Sequence, residues 1–323
     1  MESYKITGRA GEGAHGCVYK GLDKRSDKIV ALKKISINTE LGIPKNTVRE
    51  MCALRALKAK NIVKLFEITS MGSSVVFIME FLPCSLQEIL KTTKLSVPQT
   101  KSYSKMILNG VDFMHSNHIM HRDIKPANLL ISPKKILKIA DFGLARIYNQ
   151  QEPLRQYSHQ VATRWYRAPE LLYGSRTYTP SVDVWSVGCI IAEMINTTPL
   201  FPGETDIEQL AIVLSTLGTP TKESWPDLPQ LPDYNKISFI SSPGKPWKRI
   251  IPGADSSTLD LLKKIIIYDG RRRPTAKQCL SHQFFRDNPR PAKLKDMPDP
   301  KEHAEEVVSF SDFDEIIKEI NKI

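Results

Sequence analysis

The segment His121-Arg122-Asp123-Ile124-Lys125-Pro126-Ala127-Asn128 puts a carboxylate, a lysine two positions on and an asparagine five positions on into one short stretch. Asp123 can accept the proton of a hydroxyl nucleophile, Lys125 can neutralise a phosphoryl group in transfer, and Asn128 can hold a metal ion. That is the chemistry of phosphoryl transfer. Alone, the segment also reads as a turn before a buried strand, because Leu129-Leu130-Ile131 follows at once.

Three further segments bear on the choice. Gly11-Glu12-Gly13-Ala14-His15-Gly16-Cys17-Val18 fits G-x-G-x-x-G-x-V. Its glycines permit torsions that fold a hairpin over triphosphate oxygens, and Val18 can pack on a purine. A dinucleotide site shares G-x-G-x-x-G but needs a helix after it, whereas Cys17-Val18-Tyr19-Lys20 reads as a strand. Lys33 ends the apolar run Ile29-Val30-Ala31-Leu32. A lysine on a mostly buried strand needs a partner; Glu50, on the next helix, is the obvious counter-ion, and phosphate contact is the expected role. Asp141-Phe142-Gly143 follows the strand Leu137-Lys138-Ile139-Ala140, 18 residues beyond Asp123. Asn128 and Asp141 would together hold magnesium between the phosphates.

These residues need a scaffold. Residues 4–35 alternate apolar and polar in short runs broken by glycine, the pattern of a strand meander. From Thr47 to Leu57 the residues Val48, Met51, Leu54 and Leu57 fall at helical spacing, with Arg49 and Glu50 on other faces. A strand pair near 64–69 and 75–80 leads to Phe81-Leu82-Pro83, where a hinge is expected. Helical periodicity covers most of 86–118 and returns at 180–195, 206–217 and 256–267; the Pro/Gly-rich 218–254 reads as an ordered insertion. Past Phe285 the chain turns Pro-rich and then acidic, with an amphipathic stretch at 311–321. The expectation is an α+β fold: a small β-rich lobe over 4–80, a hinge at 81–85, a larger helical lobe over 86–286 and an acidic tail at 287–323.

Composition narrows the classes. At 323 residues the chain exceeds single-core size, and 41% hydrophobic with 25% charged residues suits a soluble globular protein. No apolar run approaches the ~20 residues that cross a bilayer, and Met1-Glu2-Ser3-Tyr4-Lys5 lacks an apolar signal region, so no membrane insertion is expected. Cys17, Cys52, Cys84, Cys189 and Cys279 form no C-x-x-C pair, which favours reduced thiols over disulfides or a structural zinc. Residues 287–323 carry 6 Lys/Arg against 10 Asp/Glu, leaving a net +15 on the rest. The basic residues are scattered and lack an aromatic-rich binding motif, so acidic or phosphorylated protein partners are expected and nucleic acid is not.

In this order and spacing the motifs resemble the protein kinase family over nearly all of 4–286. The likeness extends to Ala168-Pro169-Glu170, to Asp183-Val184-Trp185-Ser186-Val187-Gly188 and to a late Arg273. It implies a bilobal kinase fold that uses ATP and Mg2+, with the adenine edge on hinge backbone near Glu80 and Leu82, behind Met79. It also implies that Lys33, held by Glu50, contacts the α/β-phosphates. Structural roles follow for Glu170, paired with Arg273, and for Asp183, bracing the catalytic loop.

Within the family the chain is similar to the cyclin-dependent kinase group, through Val30-Ala31-Leu32-Lys33-Lys34-Ile35 and Trp165-Tyr166-Arg167-Ala168-Pro169-Glu170. Within the group it resembles the cell cycle-related kinases, through Gly13-Ala14-His15-Gly16, Val161-Ala162-Thr163-Arg164-Trp165 and Leu231-Pro232-Asp233-Tyr234. The resemblance implies phosphorylation of Ser-Pro and Thr-Pro sites, with Arg167 at the proline pocket. It further implies kinase activation loops as substrates in cilium assembly or length control, and a cyclin or other activator on the helix at 44–57. The implied location is cytoplasmic, extending to cilium and nucleus. A catalytically inactive kinase-fold scaffold is the alternative.

Some positions depart from the group. Ala14 and His15 replace phosphorylatable Thr and Tyr, and Pro44-Lys45-Asn46-Thr47-Val48-Arg49-Glu50 stands in place of PSTAIRE. Ser85 stands where an aspartate near the ribose is usual, and Ala10 is small for a residue above adenine. Arg49, Arg122 and Arg146 match the arginines that gather round a phosphorylated activation-loop residue, by position Ser158. Two readings stand for 300–323: docking on the basic body or a basic partner through Phe310, Phe313, Ile316 and Ile317, or a solvated flexible tail.

Overall fold

The computed structural model describes residues 3–13, 16–37, 42–149, 151, 155–158, 161, 163–304 and 308–309. β1 (Tyr4–Gly13), β2 (Gly16–Asp23) and β3 (Lys28–Ser36) form the expected meander; α1 (Lys45–Ala56), β4 (Leu65–Met71) and β5 (Ser74–Glu80) follow. The strands make one antiparallel sheet in the order β1-β2-β3-β5-β4. Side-chain alternation decides which residues face the site. Val30 and Leu32 of β3 join a small cluster with Ile6, Cys17, Tyr19, Val76 and Ile78. Ala31 and Lys33 turn the other way, into the cleft below the sheet.

On α1 the buried residues are Thr47, Glu50, Ala53 and Leu54, while Val48 is exposed. This corrects the expected apolar face at Val48, which points outward, while Glu50 is buried where its expected pairing with Lys33 puts it. The buried Lys33 ammonium needs a carboxylate, and that pair sets the rotation of the helix against its apolar stripe.

Beyond Phe81–Pro83 come β6 (Cys84–Ser85), α2 (Leu86–Thr92) and α3 (Val97–Ser116). Ser85 and Ser96 start the two helices through capping boxes with Glu88 and Gln99, which satisfy N–H groups that have no intrahelical acceptor. Four short strands follow: β7 (Ile119–Met120), β8 (Leu129–Ile131), β9 (Leu137–Ile139) and β10 (Arg146–Ile147). They pair as β6-β8-β9 and β7-β10, and the turns between them carry Asp123, Asn128 and Asp141. The helical lobe is completed by α4 (Pro169–Leu172), α5 (Ser181–Asn196), α6 (Asp206–Leu217), α7 (Trp247–Ile250), α8 (Ser256–Ile265) and α9 (Ala276–Leu280). Every residue of α5 from Val182 to Met194 is buried, as suits a helix at the centre of a lobe. The insertion at 218–254 is ordered, with Trp225, Leu228, Ile251 and Ala254 buried.

The lobes are tied behind the cleft, where Val63 N donates to Ile139 O at 3.0 Å and Asn61 Nδ2 to Leu137 O at 2.7 Å. The chain after residue 286 also packs on the body. Ser102 Oγ donates to Ala292 O at 2.6 Å, Lys135 Nζ to Met297 O at 2.7 Å, and Met297 is buried. Further on, β11 (Val308–Ser309) adds antiparallel to β1 opposite Gly8 and Arg9. Phe310, Phe313, Ile316 and Ile317 lie outside the described residues.

Candidate active site

Between the lobes is a cleft of about 540 Å3, with Ala10, Gly11, Gly16, Val18, Ala31, Lys33 and Glu50 from the sheet side and Asn128 and Asp141 from the helical lobe. Lys33 Nζ meets the two Glu50 oxygens at 2.7 and 2.8 Å and Asp141 Oδ1 at 3.4 Å. Burial opposes the charge on Lys33, but Glu50 and then Asp141 outweigh it and hold its pKa above that of an ordinary lysine. The result is a fixed cation on the inner wall of the cleft.

The carboxylate of Asp123 is held from several sides. Oδ1 accepts from Thr163 N at 2.8 Å and Thr163 Oγ1 at 3.1 Å; Oδ2 lies 2.9 Å from Lys125 Nζ and accepts from Asn128 Nδ2 at 3.1 Å. Lys125 Nζ also donates to Thr163 Oγ1 at 2.8 Å. Sequence reasoning missed Thr163 as a site residue, because no local spacing links it to a carboxylate 40 residues earlier.

Local strain in this loop is balanced by a buried acid. Arg122 has φ 70° and Asp141 φ 61°, left-handed values that are costly outside glycine. Asp183, fully buried, accepts from Arg122 N at 2.7 Å and His121 N at 2.9 Å and lies 2.9 Å from His115 Nε2. Burial would raise its pKa, yet His115, then His121 and the Arg122 N–H, hold it below the usual carboxylate range. His121 Nδ1 accepts from Asp123 N at 3.2 Å while Nε2 faces Ala140 O at 3.0 Å. A carbonyl can only accept, so Nε2 carries the proton that faces Ala140 O.

The donor set suits magnesium. Asn128 Nδ2 is committed to Asp123, which leaves Oδ1 as its ligand atom; Asp141 supplies a partly exposed carboxylate on the same cleft. Mg2+ is held by one or two carboxylate-type oxygens together with substrate phosphates rather than by an all-protein cage. No cluster of three or more His, Cys, Asp or Glu suited to a metal occurs among the described residues.

In the glycine-rich hairpin the side chain of Cys17 departs from its expected place in the nucleotide site. Gly16 has φ 126°, and a Cβ there would stand 2.2 Å from Lys34 O, so glycine is required. The Cys17 thiol points into the apolar cluster on the far face of the sheet, because strand alternation turns Val18 inward and Cys17 outward. Cys17 can therefore meet a nucleotide through its backbone only. Ala14 and His15 lie outside the described residues, and of Glu12 and Gly13 the structure describes the strand backbone. Ser85 Oγ is engaged by the capping box, donating to Glu88 Oε2 at 2.9 Å; Gln87 and Glu88 line the cleft beside it and were not foreseen. At the hinge, Glu80 and Leu82 border the cleft; the Glu80 carboxylate pairs with Lys138 at 2.7 Å and its N–H donates to Lys64 O at 3.0 Å, so a base can meet Glu80 only at its carbonyl.

Arg49, Arg122 and Arg146 are brought together. Burial, then Arg122 and Arg49, lower the pKa of Arg146 to about 10; burial, then Arg122, lower that of Arg49. Crowded guanidiniums of this kind favour an incoming anion. Ser158 is exposed. Elsewhere Arg273 grips both oxygens of Glu170 at 2.7 and 2.8 Å, and Arg167 Nη1 donates to Asp206 Oδ2 at 2.9 Å.

A sheet lobe that fixes a lysine above a cleft, over a helical lobe that presents an aspartate, lysine and asparagine from one loop, is the architecture of a protein kinase. The family model described as the protein kinase domain matches residues 4–285. The chain belongs to the protein kinase family. Cyclin-dependent kinase 20 of Danio rerio and of Rattus norvegicus are each 48% identical to it over 305 residues, spanning 93% of this chain and 88% of theirs. The Homo sapiens protein of that name is 47% identical over the same shares. These relatives put the chain in the cyclin-dependent kinase group.

Proposed function

We propose that this kinase transfers the γ-phosphate of ATP to serine or threonine followed by proline, on the activation loops of other kinases, in the control of cilium assembly or length. The observation that carries the transfer is the arrangement of Asp123, Lys125 and Thr163, in which Thr163 and the Lys125 ammonium hold the Asp123 carboxylate in one orientation beside a fixed positive charge. Asp123 orients the substrate hydroxyl and takes its proton late, because a loose transition state rewards positioning above base strength. Lys125 offsets charge on the moving phosphoryl group. Lys33, held by Glu50, contacts the α/β-phosphates, and the backbone of Glu80 and Leu82 bonds the adenine edge. Asn128 and Asp141 would hold magnesium, which would supply charge neutralisation on the phosphates.

Phosphate on Ser158 would draw Arg49, Arg122 and Arg146 together and align the loop. The expectation of a cyclin or other activator on α1 is supported by the relatives' name and by outward Val48 and Cys52, both exposed. The cilium role rests on the likeness to the cell cycle-related kinase, another name for cyclin-dependent kinase 20, and with it a location in the cytoplasm, cilium and nucleus. The test is transfer of radiolabelled phosphate from magnesium-ATP to a library of Ser-Pro and Thr-Pro peptides. Transfer that is lost in Asp123→Ala and strongly reduced in Ser158→Ala supports the reading. Wild-type protein that binds ATP but transfers nothing, even after activation-loop phosphorylation and with candidate cyclins, would favour the inactive scaffold.

A further inference from the structure

One phenol stands between the arginine cluster and the segment to be phosphorylated. Tyr178, on the stretch between α4 and α5, accepts from Arg122 Nη1 at 2.7 Å and donates to Ser158 O at 2.6 Å. Its ring packs on that of Tyr157 with centroids 5.3 Å apart, and Tyr157 N donates to Arg176 O at 2.7 Å, so the backbone just before Ser158 is clipped to the same stretch. The Ser158 carbonyl is therefore fixed while its side chain stays exposed. Arg122 also donates to Leu144 O, from Nε at 2.8 Å and Nη2 at 2.6 Å, just past Asp141-Phe142-Gly143. Through Asp183 its backbone is locked to the base of α5. One guanidinium thus joins the loop of Asp123, the turn after Asp141 and, by way of the phenol, the Ser158 segment.

We propose that Tyr178 is a positioning residue: its hydroxyl stands in for the missing phosphate on Arg122 and gives the unphosphorylated kinase a basal activity. The proposal rests on the reading of Ser158 as the phosphorylated residue. A phenol suits the role because it accepts from a guanidinium and donates to a carbonyl at once. Burial raises the pKa of Tyr178 despite the opposing influence of Arg122, so the neutral form persists at physiological pH. The link is weaker than a phosphate's, which brings a charge near −2 and can engage Arg49, Arg122 and Arg146 together. Once that phosphate is present the phenol bond becomes one contact among several, and its loss should matter less.

The experiment compares wild type and Tyr178→Phe, each prepared dephosphorylated by phosphatase and, separately, with phosphoserine incorporated at position 158. Phenylalanine keeps the ring packing on Tyr157 and removes only the hydroxyl. Peptide-phosphorylation kcat in the dephosphorylated form should fall about tenfold, the scale of losing a hydrogen bond to a charged group. The ATP KM should be unchanged, the phosphoserine form should lose less than about threefold, and the ratio between the two forms should widen accordingly. An equal fall in both forms would mean that the hydroxyl serves general packing, and no fall in either would mean that it carries nothing; both results overturn the proposal. If phosphoserine fails to stimulate wild type, the Ser158 reading itself falls, and the proposal with it.

Discussion

Replacing Glu50 by glutamine tests the ion pair on which the cleft is built. The Lys33 and Glu50 side chains are 10% and 3% exposed and meet at 2.7 Å. With an effective dielectric of about 20 and charges about 3 Å apart, their attraction is of order 5 kcal/mol. Glutamine preserves the shape and one acceptor but removes the charge, so Lys33 is left with Asp141, already 3.4 Å away. The ammonium should move towards Asp141, abandon the phosphate position and occupy a carboxylate needed for magnesium. Breaking a buried pair from one side costs about 3–5 kcal/mol; part of this is recovered because the cleft admits water to Lys33. A loss of about 3 kcal/mol in transition-state stabilisation corresponds to about a 150-fold fall in kcat/KM. Steady-state peptide phosphorylation over a range of ATP concentrations measures this, and thermal unfolding checks that the variant is folded. In a double-mutant cycle, Lys33→Met with Glu50→Gln should be little worse than Lys33→Met alone. A folded Glu50→Gln enzyme within about threefold of wild type in kcat/KM would refute the argument.

Three further outcomes follow from the packing. Arg273→Lys cannot reproduce the bidentate grip on Glu170 or the stacking over Trp185 at 4.9 Å; a loss of about 2–3 kcal/mol and a Tm lower by roughly 3–5 °C are expected by calorimetry, and an unchanged Tm would contradict the assigned role. Asp183 has a lowered folded pKa, so the stability it contributes is present above the 3.8 of an ordinary aspartate and is lost as pH falls through the folded value. The stability gap between wild type and Asp183→Asn should accordingly be wide at pH 7 and shrink below 3.8 in acid titrations followed by circular dichroism; a gap independent of pH would exclude the charged form as its source. Truncation after residue 290 removes buried Met297 and the bond that Ser102 makes to Ala292. It should cost about 2–3 kcal/mol, measured as a lower midpoint in urea, and a truncated chain as stable as the full one would show that this packing contributes nothing.

Much of the site could be read from residue order. Lys33 after an apolar run, Glu50 on the next helix, and Asp123, Asn128 and Asp141 at fixed offsets are local signals, because a strand period, a turn or a short loop dictates the spacing of functional groups. The turn of Cys17 away from the cleft was available from the same period-two rule, since Val18 next to it had been assigned inward. Ser85 carried a readable signal too: a serine three residues before Glu88 is a capping pair, and the capping box takes the hydroxyl. What the amino-acid order determined by itself was the two-lobed class, the chemistry of phosphoryl transfer and most of the residues that would perform it. Tertiary structure alone decided the outward turn of Val48 on α1 and the bond of Thr163 to Asp123 across 40 residues. It also decided the bridge from Tyr178 to Ser158 across 20. Periodicity encodes which way a side chain points along its own element, whereas contacts between distant segments depend on how the elements pack. Partners tens of residues apart were therefore legible in advance only where the family resemblance supplied them, as for Glu170 with Arg273, whereas Thr163 and Tyr178 became visible only in the folded chain.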